Sequence, residues 1–186
     1  MNDNIEYMQI KKILTAVLCE LEEKNIPYAL VGALAFAYWG HRRYTEDIDF
    51  LVKRQDMEKV KAIMEKYGYS IYIDTNNATQ FIHDIKEMVD VDFLYANKEA
   101  SLKMINQARK FKTTDGPDIS VALPEDLIAL KLQSISLNPD REYKDMADIQ
   151  AIVELITPHL DWKRIKEYAK ILSMEDYYEK IRKFVK

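Results

Sequence analysis

Residues 31–52 read Val-Gly-Ala-Leu-Ala-Phe-Ala-Tyr-Trp-Gly-His-Arg-Arg-Tyr-Thr-Glu-Asp-Ile-Asp-Phe-Leu-Val, and the last six of them decide the fold. Side chains alternate between the faces of a β-strand, so a strand here puts Asp47 and Asp49 on one face and Ile48 and Phe50 on the other. Two adjacent carboxylates repel each other unless a countercharge is present. Carboxylate oxygens suit Mg²⁺, which proteins hold through one or two carboxylates and substrate phosphates. The alternative is a solvent-facing pair on an edge strand.

The residues before this strand favour a phosphate site beside the metal. Ile26 to Val31 is an apolar run that predicts a short buried strand. Gly32 and Ala33 then begin a run of small residues that predicts a helix. A glycine at such a junction lets a ligand approach the backbone, and the first N–H groups of a helix are available to a phosphate. Arg43 and Thr45 lie just before the acidic strand.

This pattern, Gly32-Ala33 and then Gly40-x-x-Arg43-x-Thr45-x-Asp47-Ile48-Asp49, resembles the signature of the nucleotidyltransferase superfamily with the polymerase-β-like minimal fold. Within that superfamily it is similar to the AbiEii-type and related uncharacterised prokaryotic nucleotidyltransferases. The resemblance implies an α/β (α+β) fold, with a mixed, mostly antiparallel sheet flanked by helices and followed by C-terminal helices. It also implies an enzyme that uses an NTP with Mg²⁺ or Mn²⁺.

The resemblance assigns roles to the residues of the signature. Asp47 and Asp49 would bind the metal, and Gly32, Ala33, Arg43 and Thr45 would bind the nucleotide. The family usually has Gly-Ser or Gly-Gly where this chain has Gly32-Ala33. The serine hydroxyl that could contact the triphosphate is therefore absent, and backbone N–H groups would have to serve instead.

A second acidic strand is predicted from Met88 to Tyr95, with Asp90 and Asp92 on one face. We expect it to lie antiparallel beside the first acidic strand and to direct a carboxylate at the same metal. The family pattern of apolar-Asp-apolar-Leu falls on residues 91–94. The resemblance therefore assigns the third carboxylate to Asp92, as a metal ligand or as the base that activates the attacking hydroxyl. Asp90 is the alternative.

Two helices near residues 124–156 carry further charged candidates. Lys131 lies on an apolar helix face, where a lysine usually extends its ammonium group to the protein surface. It also matches a family lysine that points at the nucleotide site, which implies a triphosphate or charge-balancing role. The segment Arg141-x-x-Lys144-Asp145-x-x-Asp148 resembles another family segment and implies a supporting role. The alternative for these residues is ordinary surface pairing along a helix.

Composition limits the other possibilities. The chain has 186 residues, a formal charge of −4, four glycines, five prolines and one cysteine. We expect one compact unit, with a nucleotidyltransferase core over residues 1–123 and a C-terminal helical part over residues 124–186. Cys19 lies in an apolar helical pattern and is predicted to be a buried thiol. There is no signal peptide or membrane-spanning run, so we expect a cytoplasmic protein with no membrane partner.

Three functions remain open. The first is a nucleotidyltransferase that acts on RNA or protein, such as a toxin with a cognate antitoxin protein as its partner. The chain from Trp162 onward has eight lysines and arginines against four carboxylates. Such a charge run is usually a solvated face, and the alternative is a guide for an RNA acceptor, which leans slightly toward this first function. The second is a small-molecule nucleotidyltransferase of the antibiotic-modifying type. The third is a nucleotide-binding or interaction protein without turnover, for which Ala33 is the argument.

Overall fold

The computed structural model describes residues 2–41, 45, 47–85, 88–114 and 116–185, with side chains from residue 8 onward. Over these residues there are seven strands: β1 (Tyr28–Val31), β2 (Asp47–Val52), β3 (Tyr69–Asp74), β4 (Ala78–His83), β5 (Asp90–Tyr95), β6 (Arg109–Phe111) and β7 (Ile119–Val121). The α-helices are α1 (Asn2–Glu23), α2 (Gly32–Tyr38), α3 (Met57–Lys66), α4 (Glu99–Gln107), α5 (Pro124–Leu137), α6 (Glu142–Ile156), α7 (Trp162–Ile171) and α8 (Glu175–Arg182).

The strands form one sheet in the order β3-β4-β5-β2-β1-β7-β6. Four of its six neighbouring pairs are antiparallel, and the β2–β5 and β1–β7 pairs are parallel. The prediction of a mixed, mostly antiparallel sheet flanked by helices is confirmed. The two predicted acidic strands are β2 and β5, and they are neighbours in the middle of the sheet.

The predicted antiparallel orientation of these two strands is wrong, because β2 and β5 run parallel. Helix α3 returns the chain from the end of β2 to the side of the sheet at which β2 begins. Strand β3 therefore runs in the same direction as β2. The β3–β4 and β4–β5 reversals then cancel each other. A parallel pair requires such a crossover, and α3 supplies it.

Alternation along the central strands separates an apolar face from an acidic one. Ile48 and Phe50 of β2 and Val91 and Phe93 of β5 are fully buried on one side. The Phe93 ring stacks on Phe50, with ring centroids 5.2 Å apart. These buried aromatic side chains form the centre of the core, and each contributes a few kcal/mol by leaving water, on the order of 2–3. The aspartates of both strands project from the opposite face.

Contacts divide the chain into two compact units. The first comprises Met1–Ala35 and Arg43–Ala122, and the second comprises Phe36–Arg42 and Leu123–Lys186. The functional division predicted at residues 123 and 124, and the prediction of a single compact unit, stay predictions.

Helix α5 is the central element of the second unit, and most of its side chains are buried. Its Asp126 accepts hydrogen bonds from Arg164 Nη2 at 2.6 Å and from the Tyr168 hydroxyl at 2.7 Å. Glu125 accepts one from the backbone N–H of Asp161 at 2.7 Å. Burial raises the pKa of Asp126, against the opposing effect of Tyr168 and Arg164. These polar contacts fix α7 on α5.

The structure also bears on the thiol of Cys19 and on membrane insertion. Cys19 is exposed, so the prediction of a buried thiol is wrong. The side chain falls between the buried Leu18 and Glu20, on the outer side of α1, where the apolar helix pattern does not reach. Among the described helices, none combines the length and apolar character that a membrane span requires.

Candidate active site

Four carboxylates lie on one face of the β2–β5 pair. The parallel register sets Asp47 opposite Asp90 and Asp49 opposite Asp92. Register partners in adjacent strands point to the same side of a sheet, and neighbouring strands are about 4.8 Å apart. All four side chains are half-buried. The structure therefore brings together the three aspartates predicted to hold a metal, with Asp90 as a fourth.

Gly32 marks where the carboxylate of Asp49 meets the backbone. It follows β1 directly and has φ of +64°, a conformation that favours glycine. A Cβ added there would lie 1.8 Å from Asp49 Oδ2, so the carboxylate occupies the space of the missing side chain. Ala33, the next residue, is buried. The predicted close approach to the Gly32 backbone is thus made by Asp49 in this structure.

Thr45 is in contact with the first aspartate of the strand. Its hydroxyl donates to Asp47 Oδ1 and lies 3.3 Å from the carbonyl oxygen of the same residue. A charge-assisted hydrogen bond of this kind restricts the rotamer of the carboxylate. Direct nucleotide binding by Thr45 stays a prediction. Arg43, the other candidate of this segment, lies outside the described residues.

Asp92 is the most perturbed carboxylate of the site. Burial raises its pKa, with further repulsion from Asp47 and Asp90, and a hydrogen bond from the Gln80 amide lowers it in part, to a resulting value of about 6. Its Oδ1 atom is buried and has no hydrogen-bond partner among the described residues. A carboxylate with a pKa near neutrality and an unsatisfied oxygen suits proton transfer or cation binding.

Gln80 is the site residue that the sequence reasoning missed. It lies on β4 opposite Asp92, in the antiparallel β4–β5 pair, and its side-chain amide donates to that carboxylate. Within the sequence, Gln80 is one polar residue of a short strand whose pairing partner is unknown. Only the register of β4 against β5 identifies it, so no local signal could have found it.

The residues present fit a divalent cation. Among the described residues, no three His, Cys, Asp or Glu side chains already stand in a metal-holding arrangement. The chemistry nevertheless matches, because Asp92 Oδ1 is buried without a partner and two further aspartates repel it. Carboxylate oxygens are the ligands that Mg²⁺ and Mn²⁺ prefer. Asp47, Asp49 and Asp92 would hold the ion.

Lys131 lies in a buried ion cluster of the second unit. Its Nζ is 2.7 Å from Asp145 Oδ1 and 2.8 Å from Asp148 Oδ2, and it lies 5.9 Å from the Phe36 ring centroid. Burial opposes ionisation of Asp145, but the hydrogen bond and charge of Lys131 outweigh it and lower the pKa of that carboxyl. Lys131 thus lies where a charge-balancing role would require it, beside the two aspartates of α6. A triphosphate role for Lys131 stays a prediction.

Arg141 and His41 lie beside the two aspartates of this cluster, whereas Lys144 does not contribute to it. Arg141 Nε lies 3.2 Å from Asp145 Oδ2, and His41 Nε2 lies 3.8 Å from Asp148 Oδ1. The side chain of Lys144 is exposed. Asp145 and Asp148 thus hold Lys131 in place, whereas Lys144 lies at the surface of the same helix.

Comparison with known proteins identifies a family and a fold for this chain. The sequence profile of a family described as "Uncharacterised nucleotidyltransferase" matches residues 5–186. No curated protein sequence matches the chain. Among solved structures, antibiotic-resistance factor ANT(2'')-Ia has a TM-score of 0.62 at 15% identity, and the match covers 94% of this chain and 99% of that one.

Two further structures share the fold. An antigenic nucleotidyltransferase-like protein from Paracoccidioides brasiliensis has a TM-score of 0.55 at 15% identity, over 94% of this chain and 92% of that one. A putative nucleotidyltransferase from Thermotoga maritima has a TM-score of 0.54 at 16% identity, over 74% and 91%. These structures show the shared fold, and the sequence profile over residues 5–186 shows that the protein is of the nucleotidyltransferase class. The chain belongs to the family of uncharacterised nucleotidyltransferases that its sequence matches. Its assignment to the AbiEii-type group stays a prediction.

The raised pKa of Asp92 predicts a pH-dependent stability of the metal-free protein. The folded pKa is about 6 and the ordinary value is 3.8, so the native state holds this proton more tightly than the unfolded state. The free energy of unfolding should therefore fall as pH rises from about 4 to about 6 and stay lowered above that. Asp92→Asn should remove this loss and raise the melting temperature at neutral pH, measured in EDTA.

Asp176→Asn, on the exposed surface of α8, is the matched control and should leave the pH profile of stability unchanged. Superimposable profiles for Asp92→Asn and the wild type would show that Asp92 titrates normally.

Replacing Lys131 separates its two predicted roles. Lys131→Met leaves Asp145 and Asp148 buried without their cation, and breaking a buried pair costs about 3–5 kcal/mol. We expect a lower melting temperature in the absence of nucleotide. Lys144→Met removes an exposed lysine from the neighbouring helix and should have little effect.

NTP affinity should be measured on the same Lys131→Met protein. Weakened NTP binding with an unchanged melting temperature would assign Lys131 to the nucleotide instead. If neither quantity changes, Lys131 has neither role.

Proposed function

We propose that this protein transfers a nucleoside monophosphate from an NTP to a hydroxyl acceptor in a reaction that needs Mg²⁺ or Mn²⁺. The observation that carries the proposal is Asp92, whose buried Oδ1 has no partner and whose pKa is about 6 beside Asp47. Unlike the structural Asp126, whose charge meets Arg164, Asp92 lies beside other carboxylates. Membership of the nucleotidyltransferase family supports the same class of reaction.

The aspartates of β2 and β5 and the turn after β1 have separate roles in the proposed transfer. Asp47 and Asp49 would hold the divalent cation, which would neutralise the triphosphate and polarise its α-phosphate. The Gly32 and Ala33 backbone faces the phosphates. Asp92 takes the proton of the acceptor hydroxyl as its oxygen bonds to the α-phosphorus. The bond from that phosphorus to the bridging oxygen breaks, and pyrophosphate leaves with its electron pair.

Thr45 orients the carboxylate of Asp47, and Gln80 orients that of Asp92. Thr45 donates to Asp47, and Gln80 donates to Asp92. Hydrogen bonds of this kind to metal-ligating groups typically change metal affinity or activity by about 10–100-fold. The two donors thus direct Asp47 and Asp92 at the same space.

The acceptor defines two candidate functions. RNA or a protein is the first, as for a toxin countered by an antitoxin protein, and the exposed Lys163, Lys166 and Lys170 of α7 support RNA. This support is limited, because Arg164 of α7 is bound to Asp126 and Lys180 of α8 to Glu142. A small molecule is the second, supported by the fold shared with ANT(2'')-Ia, an antibiotic-resistance factor. A protein that binds nucleotide without turnover is a third reading, argued from Ala33.

Metal-dependent stabilisation is the first test. Mg²⁺ or Mn²⁺ together with an NTP should raise the melting temperature, because a ligand that binds only the native state stabilises it. At a concentration about 100 times its dissociation constant, the gain is about 2.7 kcal/mol. Asp49→Asn should abolish the shift, and Asp118→Asn, a carboxylate paired with Lys112, should retain it. An undiminished shift in Asp49→Asn would place the cation elsewhere.

Transfer itself is tested by incubation with each α-labelled NTP and Mg²⁺ in the presence of total RNA, protein or small molecules. Asp92→Asn should lose transfer while NTP binding largely survives, because the proton acceptor is lost and the triphosphate site is kept. Asp90→Asn should have a milder effect. If Asp90→Asn were the inactive variant and Asp92→Asn the mild one, the base would be Asp90. Label on no acceptor would favour the protein without turnover.

A further inference from the structure

Strand order separates the two substrates on the acidic face. Gly32, proposed to face the phosphates, follows β1, and β1 borders β2 on one side. Asp92, the proposed base, lies on β5 at the other side of β2, and β4 and β3 come next. An acceptor hydroxyl within reach of Asp92 and opposite the triphosphate therefore comes from the β4 and β3 side of the sheet.

The surface at that side is continuous with the carboxylates. Gln80 of β4 is the register partner of Asp92, and Ile73 of β3 is the register partner of Gln80. Ile82 lies two residues from Gln80, so its side chain shares that face. We call these three residues, Ile73, Gln80 and Ile82, the acceptor face. Gln80 and Ile82 are half-buried, and Ile73, on the edge strand, is 47% exposed.

The residues of the strands around the acceptor face favour an uncharged ligand over a polyanion. Strands β3, β4 and β5 contain no lysine or arginine, and β5 contributes Asp90 and Asp92. Affinity for a phosphate backbone comes mostly from lysine and arginine, and like charges repel. Two isoleucines beside one amide instead suit the apolar face of a ring with hydroxyl substituents. An RNA chain laid along this face would meet carboxylates without any cation from the three strands.

We propose that the acceptor face binds the acceptor of the transfer reaction, and that this acceptor is a small hydroxyl compound without phosphate groups. The inference rests on the proposed nucleotidyl transfer and adds the class of its second substrate. The acceptor lies over Ile73 and Ile82, and its hydroxyl reaches Asp92, where Gln80 holds the carboxylate. Its oxygen gains the nucleotidyl group, and its proton passes to Asp92.

The test uses an extract of the cells that the protein comes from, divided into four fractions. These are RNA, protein, small molecules retained on an anion exchanger and small molecules that pass through it. Each fraction is incubated with the full-length protein, Mg²⁺ and α-labelled NTP. The result expected is a labelled product only with the small molecules that pass through the exchanger. Label on RNA, on protein or on the retained anions would overturn the inference while leaving nucleotidyl transfer intact.

A pair of variants tests the position of the site. Ile73→Lys and Ile73→Asp both remove the apolar contact between residue 73 and the acceptor. Losing this contact should lower the transfer rate about tenfold when the acceptor fraction is present at low concentration. Both should lower that rate alike and leave NTP affinity unchanged. Ile171→Lys and Ile171→Asp are the controls, at an exposed isoleucine of α7, and should keep the wild-type rate. A faster Ile73→Lys together with a slower Ile73→Asp would indicate an anionic acceptor and overturn the inference.

Two other outcomes distinguish a wrong acceptor site from a wrong reaction. Wild-type rates in both Ile73 variants would show that the acceptor binds elsewhere, which also overturns the inference. Failure of the wild-type protein to release pyrophosphate with any fraction would remove the proposed transfer itself, and with it this inference.

Discussion

Repulsion among the aspartates of β2 and β5 is the constraint on which the rest of the site depends. The parallel register sets Asp47 beside Asp90 and Asp49 beside Asp92. The surrounding structure offsets part of this repulsion through Thr45 on Asp47 and Gln80 on Asp92, and it leaves Asp92 Oδ1 unsatisfied. The opposite face supplies the compensating stability, because Phe50 and Phe93 are fully buried there. A strained acidic face is thus supported by a well-packed apolar one on the same two strands.

In the second unit, which contains helices α5 to α8 and is called the helical unit below, buried carboxylates lie beside cationic side chains. Lys131 meets two carboxylates, and Asp126 meets an arginine and a tyrosine hydroxyl. Matched buried charges contribute little net stability, but removing one partner is costly because it leaves a carboxylate buried alone. The two units therefore use buried aspartates differently. In the helical unit Asp126 and Asp145 each face a cation, whereas Asp92 faces the carboxylates of Asp47 and Asp90.

The sequence predicts the fold and the three central carboxylates because both depend on local periodicity. Alternation of Asp with Ile and Phe defines β2 and β5, and the resemblance supplies their placement in one sheet. Orientation of the two strands depends on the crossover through α3 and on the β3–β4 hairpin, which alternation within one strand does not record. Gln80 was missed for the same reason, since it becomes a site residue only through the register of β4 against β5. The exposure of Cys19 follows from the exact angular position of one residue on α1.

The pairing between β3 and β4 shifts register between Ile71 and Ile73, and Tyr72 lies in this irregularity. Edge strands with exposed apolar residues are templates on which another chain can add a strand, and β3 exposes Ile71, Tyr72 and Ile73 without a lysine or proline to prevent it. An irregularity of this kind bends the strand and interrupts its row of regularly spaced N–H and C=O groups. The bulge thus lets β3 keep apolar side chains open to solvent beside the carboxylates while making its outer edge a poor template for aggregation.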